Sequence, residues 1–172
     1  MQREIQESDR RKAAERSIGN GMNTTAAIYL RKSTEDNGKS VAQQEKEVRV
    51  RADQLGLNII ATYREDDGTS ASHVTDNARP QMARCFDDFK AGEFDTIIVW
   101  ALDRWSRKGA SEIGPLLDTL ETRNGRLVDC SGIDTGSVGI KDSRIPLLMA
   151  GEMAWAEIDR LAARIKRGKE LQ

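Results

Sequence analysis

The apolar positions change period several times along the chain, and each change marks an element. Residues 26–30 (AAIYL) are an unbroken apolar run between polar neighbours, which predicts a buried strand. From Ser40 the spacing becomes helical. Val41, Val48, Ala52 and Leu55 share a face, Ser40 and Gln43 make a capping-box pattern, and Gly56 stops the helix. Residues 58–63 (NIIATY) predict a second strand, and 64–79, rich in Gly, Ser, Asp and Asn, a long loop. Pro80 suits a helix first turn, and that helix runs to about Lys90, before Gly92. Residues 95–100 (DTIIVW) form the clearest strand. A helix follows within 105–123, stopped by Asn124-Gly125. Gly114-Pro115 is expected to start or kink its main part, because proline lacks the amide donor and clashes with the preceding turn. Residues 126–130 (RLVDC) predict a fourth strand, and 131–142 a Gly/Ser/Asp loop.

Strand and helix alternate at crossover spacing, so the expected fold class is α/β: a three-layer α/β/α arrangement around a mostly parallel sheet. The last 30 residues differ. Ser143 can cap a helix, Pro146 can occupy its first turn, and no breaker appears until Gly168. Leu147, Gly151, Ala154, Ile158, Leu161 and Ile165 recur alternately four and three residues apart. Such a stripe suits a long helix packed on another helix, in its own domain or in a second copy. The expected organisation is a polar N-terminal extension over 1–23, an α/β core over 24–142 and a long helix over 143–172.

Composition narrows the classes. The chain has 172 residues, with 27 Lys+Arg against 28 Asp+Glu, a net charge of −1 that argues against coating nucleic acid by bulk electrostatics. No apolar run reaches the length of a membrane span, and the first 25 residues lack a signal-peptide core, so no membrane and a cytoplasmic location are expected. Cys85 and Cys130 make no disulfide framework, and with one histidine they cannot assemble an ordinary Cys/His zinc site. There is no phosphate-binding loop of the G-x-x-x-x-G-K-[ST] type and no G-x-G-x-x-G. His73 stands isolated in a polar loop, and Trp100, Trp105 and Trp155 are too scattered to form a base-stacking platform.

The side chains at the strand ends carry the chemistry. Tyr29, Arg31 and Ser33 are two apart, so an extended chain presents them on one side, at the carboxyl end where open α/β sheets bind ligands. Ser33 beside the Arg31 cation suits attack on an anionic centre such as phosphate. The strand at 95–100 ends in Asp103, Arg104 and Arg107, with the two arginines three apart and Asp103 able to anchor one of them. Three guanidiniums at one sheet edge repel unless an anion joins them, and their planar donors match phosphate oxygens. Arg79, just before Pro80, is a candidate fourth cation. Lys90 ends the same helix, where the dipole favours a cation in any case. Gln44 lies on the apolar side of its helix and needs partners there. Asp66 and Asp67 could hold Mg²⁺, but neighbours on an extended chain face apart.

Taken together, these residues resemble the catalytic domain of the serine recombinases, the resolvase/invertase family. YLRKS (29–33) matches the Tyr-x-Arg-x-Ser motif around the family's nucleophile, and SVAQQ (40–44) resembles its Ser-x-x-x-Gln segment. DDGTSAS followed by Arg79-Pro80 resembles its loop and helix start, DRWSR (103–107) matches Asp-Arg-x-x-Arg, and Lys90 falls at the family's lysine. MAWAEIDRLAARIKRG (153–168) resembles the long helix that ends the domain. The long loop and Arg-Pro start look most like the large integrase-type branch.

The resemblance implies a resolvase-like (flavodoxin-like) fold and a site-specific DNA recombinase. Ser33 would form a 5′-phosphoseryl DNA intermediate. Arg31, Arg104 and Arg107 would bind the phosphate, Arg79 and Lys90 would support them, and Asp103 and Gln44 would orient the cluster, with Tyr29 beside it. It implies no metal or other cofactor, and double-stranded DNA as substrate. It also implies a dimer-to-tetramer assembly through the helix at 143–170. Family members continue into a DNA-binding region beyond this helix, so the chain ending at Gln172 is expected to be a catalytic fragment that recognises no site alone. Residues 157–172 carry five cations, including DNA-contact candidates Arg164, Lys166 and Arg167, against three acids. Two rival readings are a non-catalytic flavodoxin-like signalling domain, disfavoured by Arg31 and Ser33 where acids would be needed, and a metal-dependent nuclease using Asp66 and Asp67.

Overall fold

A computed structural model describes residues 25–32, 40–66, 79–106 and 108–170, with backbone alone at 158, 161, 162, 165 and 168–170. The extension 1–23, Ser33, the loop from Asp67 through His73 and Arg107 lie outside the described residues. Four strands form one sheet: β1 (Thr25–Leu30), β2 (Asn58–Arg64), β3 (Thr96–Val99) and β4 (Arg126–Val128), in the order β2-β1-β3-β4. Every pairing between these strands is parallel. The helices are α1 (Val41–Gln54), α2 (Pro80–Ala91), α3 (Leu102–Trp105), α4 (Ala110–Arg123), α5 (Thr135–Val138) and α6 (Ile140–Glu170).

Strand alternation sorts the core into two layers. Ala26, Ile28, Leu30, Ile98 and Val128 face α1, where Val41, Val48 and Ala52 meet them. Ala27, Tyr29, Ile97, Val99 and Leu127 face the other way, against Cys85 and Phe89 of α2, Ile113, Leu116, Leu117 and Leu120 of α4, Trp105 and Leu147. This is the expected α/β/α sandwich, and its central strands β1 and β3 are mostly apolar on both sides because both faces are covered. Gly125 closes the turn from α4 to β4. A Cβ there would stand 2.4 Å from the Phe89 ring and 3.2 Å from the Asp95 carbonyl, so only glycine fits.

Three details refine the sequence reading, the first of them set by a contact distant in sequence. α4 begins at Ala110 and carries Pro115 inside it, because Glu152 of α6 accepts a hydrogen bond from the Ala110 amide at 2.7 Å and caps the helix from 42 residues away. Part of the loop read at 131–142 is helix α5, capped by Asp134, which accepts from the Gly136 amide at 2.9 Å. The long helix starts at Ile140 rather than Ser143, runs through Pro146 and continues past Gly168. Ser143 is therefore inside its first turn, where its hydroxyl donates to the Gly139 carbonyl at 2.7 Å. The inner end of the α6 stripe packs on its own domain: Leu147 is buried, and a Cβ on Gly151 would meet Ile113 Cδ1 at 2.2 Å.

Candidate active site

The four-residue helix α3 organises the carboxyl end of the sheet. So short a helix leaves its last carbonyls without intrahelical partners. Two arginines from other elements take them. Arg31, directly after β1, donates from Nη2 to the Asp103 carbonyl at 2.7 Å and from Nε to the Arg104 carbonyl at 3.2 Å. Arg79, at the start of α2, donates from Nη1 to the Trp105 carbonyl at 2.6 Å. Three consecutive carbonyls thus fix two guanidiniums from sequence positions 26 to 73 residues away.

Arg104 completes the cluster from within α3. Its Nη1 lies 2.5 Å from Oδ2 of Asp103, and its guanidinium carbon sits 5.0 Å from the Trp100 ring centroid. Arg31 and Arg104 are only 6 % and 4 % exposed, a burial that guanidiniums accept only with partners. Arg79 also pairs with Glu112 of α4, whose other oxygen accepts from the Lys108 amide at 3.1 Å. The structure therefore brings Arg31, Arg79, Asp103 and Arg104 together. Gln44 is fully buried in the first turns of α1, on the side facing the sheet.

Tyr29 lies beneath this cluster. Its ring packs edge-on against Trp105 at 5.6 Å between centroids, and its hydroxyl donates to Glu65 Oε1 at 3.3 Å. Burial, with the nearby Glu65 carboxylate second, pushes the phenol well above the ordinary tyrosine range, so it stays protonated at neutral pH.

Other candidates lie elsewhere. Lys90 is in the last turn of α2, with Nζ 2.7 Å from Asp87 and 4.8 Å from the Phe86 ring centroid. Its ion pair is thus with a residue of its own helix, not with the arginines' acids. Arg164, Lys166 and Arg167 are exposed on α6, about 20 Å along its axis beyond Glu152.

Two acids escaped the sequence reading. Glu65 is 1 % exposed; its Oε1 also accepts from the Met82 amide at 2.9 Å, and its Oε2 is buried without a hydrogen-bond partner among the described residues. Its signal was the strand period: Tyr63 faces inward, Arg64 outward, and Glu65 inward again. Glu112 carried no such signal, because its partner lies 33 residues away.

Comparison with known proteins agrees with this geometry. The model of the family described as "Resolvase, N terminal domain" matches residues 26–172. The chain belongs to the resolvase family. It is the catalytic domain of a serine-type site-specific recombinase, a class of enzyme that cleaves and rejoins DNA. A search of curated proteins finds no match. Among solved structures, this resolvase domain is similar to the N-terminal catalytic domain of TP901-1 integrase, with 25% identity, a TM-score of 0.56, and cover of 79% of this chain and 99% of that one. A resolvase family site-specific recombinase from Streptococcus pneumoniae shares its fold at 23% identity and TM-score 0.57, covering 86% of this chain and 95% of that one. The C-terminal catalytic domain of ISC1926 TnpA, an IS607-like serine recombinase, does so at 18% and 0.50, covering 62% and 70%. The family acts on DNA and oligomerises, and no described helix is long and apolar enough to cross a membrane.

Proposed function

We propose that Ser33 is the nucleophile of this recombinase and that the arginines gathered around α3 hold the scissile phosphate. The Ser33 oxygen bonds to phosphorus, the bond from phosphorus to the 3′ oxygen breaks, that oxygen takes up a proton and the serine loses one. The products are a 5′-phosphoseryl link and a free 3′-hydroxyl. One phosphoester replaces another, so rejoining needs no nucleotide triphosphate. Arg31, Arg104, Arg79 and Arg107 stabilise the charge that builds on the phosphoryl oxygens, which preorganised donors do without reorganising during the reaction. Asp103 orients Arg104, while Gln44, Tyr29 and Lys90 are supporting residues. The carrying observation is the pair of guanidiniums anchored on the carbonyls of Asp103, Arg104 and Trp105.

The proposed organisation is a polar extension over 1–23, a catalytic core over 24–142 and an interface helix over 143–172, continuous with helical turns that begin at Ile140. Ile145, Met149 and Met153 recur every four residues on α6 at 68%, 60% and 71% exposure, which supports assembly of a dimer and then a tetramer there. Arg164, Lys166 and Arg167 would follow the DNA backbone. The identity with TP901-1 integrase supports the integrase-type branch, acting on double-stranded DNA in the cytoplasm without a metal or cofactor.

The test fuses the full 172-residue chain to a DNA-binding module of known site and offers it duplexes with two such sites around a randomised spacer. In EDTA, a denaturation-resistant protein–DNA adduct is expected, and Ser33→Ala should form none. An adduct from Ser33→Ala, or an absolute need for Mg²⁺, defeats this reading.

A further inference from the structure

We propose that Glu112 is the positioning residue that aims Arg79 at the scissile phosphate, an inference that rests on the function proposed above. Glu112 is the third residue of α4, and no side chain at Gly109 caps that helix. One of its oxygens pairs with Arg79 and the other accepts from the Lys108 amide at 3.1 Å. A single carboxylate therefore joins the start of α2, the turn that follows α3 and the first turn of α4. Both partners are mostly buried, with side chains 14% and 17% exposed, so water screens the pair little.

Arg79 is fixed at two points, Nη1 on the Trp105 carbonyl and Nη2 on Glu112. A guanidinium has five N–H donors, so three remain for phosphate oxygens. Two fixed points in one plane set where those three aim; the Trp105 carbonyl alone would let the guanidinium swing about a single contact. Misplacing a phosphate-binding group by about 1 Å costs on the order of 100-fold in rate. A plain helix-capping role would instead leave the chemistry untouched and lower only stability.

The experiment measures the single-turnover rate of adduct formation by the same fusion, together with the DNA concentration that gives half the maximal rate. It compares Glu112→Ala, Glu112→Gln, Arg79→Ala and the double variant Arg79→Ala/Glu112→Ala. Arg79→Ala should slow the saturated rate about 100-fold. Glu112→Ala should slow it about 10-fold or more with half-saturation nearly unchanged, and the double variant should match Arg79→Ala within about twofold, since Glu112 has then nothing left to aim. A saturated rate for Glu112→Ala within twofold of the wild type, or a double variant slowed by the product of the two single effects, overturns the proposal. If Glu112→Ala gives no cooperative melt, Glu112→Gln takes its place. The amide can accept from Arg79 or from Lys108 but not both, so slowing by about fivefold is expected, and an unchanged rate overturns the proposal. A wild-type fusion without adduct defeats the proposed function and this inference together. A wild-type adduct lost in Ser33→Ala, with Glu112 silent, defeats this inference alone.

Discussion

At the amino end of the sheet, Arg126 lies alongside the Asp134 carboxylate, Nε to Oδ1 at 2.8 Å and Nη2 to Oδ2 at 2.7 Å. At the carboxyl end, Arg31 also makes a two-point contact, at 2.7 and 3.2 Å, but with the carbonyls of Asp103 and Arg104. The chemical difference is what each contact does to the charge. A matched carboxylate cancels a guanidinium's charge and ties β4 to α5. A carbonyl dipole orients the guanidinium without cancelling it. Arginine thus closes the fold at one end and, in the function proposed above, serves an anion at the other. The acid at the carboxyl end is shared out by single oxygens, Asp103 to Arg104 and Glu112 to Arg79.

The largest effect should come from removing the fork at the carboxyl end while keeping its charge. Lysine at position 31 offers a point charge and cannot reach two carbonyls and a phosphate in one plane. Arg31→Lys should lower the saturated rate of adduct formation about 100- to 1000-fold, as loss of a preorganised donor does, while the domain still melts cooperatively. A rate within about fivefold of the wild type would make Arg31 a structural arginine like Arg126 and dissolve the contrast.

How far this contrast could be read in advance depends on the range of the contacts involved. The four strands, α1 and α2 follow local periods and local caps such as Ser40, so the sequence reading located them closely. That Arg31, Asp103, Arg104 and Arg79 lie near one another at the carboxyl end was legible because strand ends and helix starts place them. Their partners were not, since backbone carbonyls have no sequence signature. The start of α4 was read only to within 105–123, because its cap, Glu152, belongs to another helix. The start of α6 was misread because Asp134 and Arg126 build a short helix where composition suggests loop. Lys90 was placed with the cluster by motif position, yet its ammonium pairs with Asp87 one turn away.

A middle-sized effect should come from the amino end, in stability rather than rate. Arg126 holds the Asp134 carboxyl below the ordinary carboxylate range through their hydrogen bonds, against the opposing effect of burial. The resulting stabilisation is complete above the unfolded value near 3.9 and is lost as pH falls through the lower folded value. Asp134→Asn should therefore cost about 1–3 kcal/mol at neutral pH, the scale of a charged hydrogen-bonded pair. The deficit relative to the wild type should shrink below about pH 4, where the wild type loses the same term. Denaturant melts across pH 3–7 measure this, and the adduct rate at neutral pH should stay within twofold. A large rate loss would mean that the amino end also serves the chemistry.

The smallest effect concerns Arg123, also at the amino end but held, among the described residues, without a carboxylate. Its Nη1 donates to the Lys90 carbonyl at 2.8 Å, and its guanidinium carbon lies 5.7 Å from the Phe89 ring centroid. One hydrogen bond to a helix-terminal carbonyl and a distant cation–π contact together amount to about 1 kcal/mol. Arg123→Gln should lose about that much, less than Asp134→Asn. Its deficit should also stay level from pH 3 to 7, because neither the guanidinium nor its carbonyl partner titrates there. The two variants share an end of the sheet and differ in whether a carboxylate is involved, so their pH profiles separate charge cancellation from dipole anchoring. If the Arg123→Gln deficit also shrank in acid, the carbonyl-held arginines would depend on an acid after all, and the distinction between the two ends would fail at its weakest member.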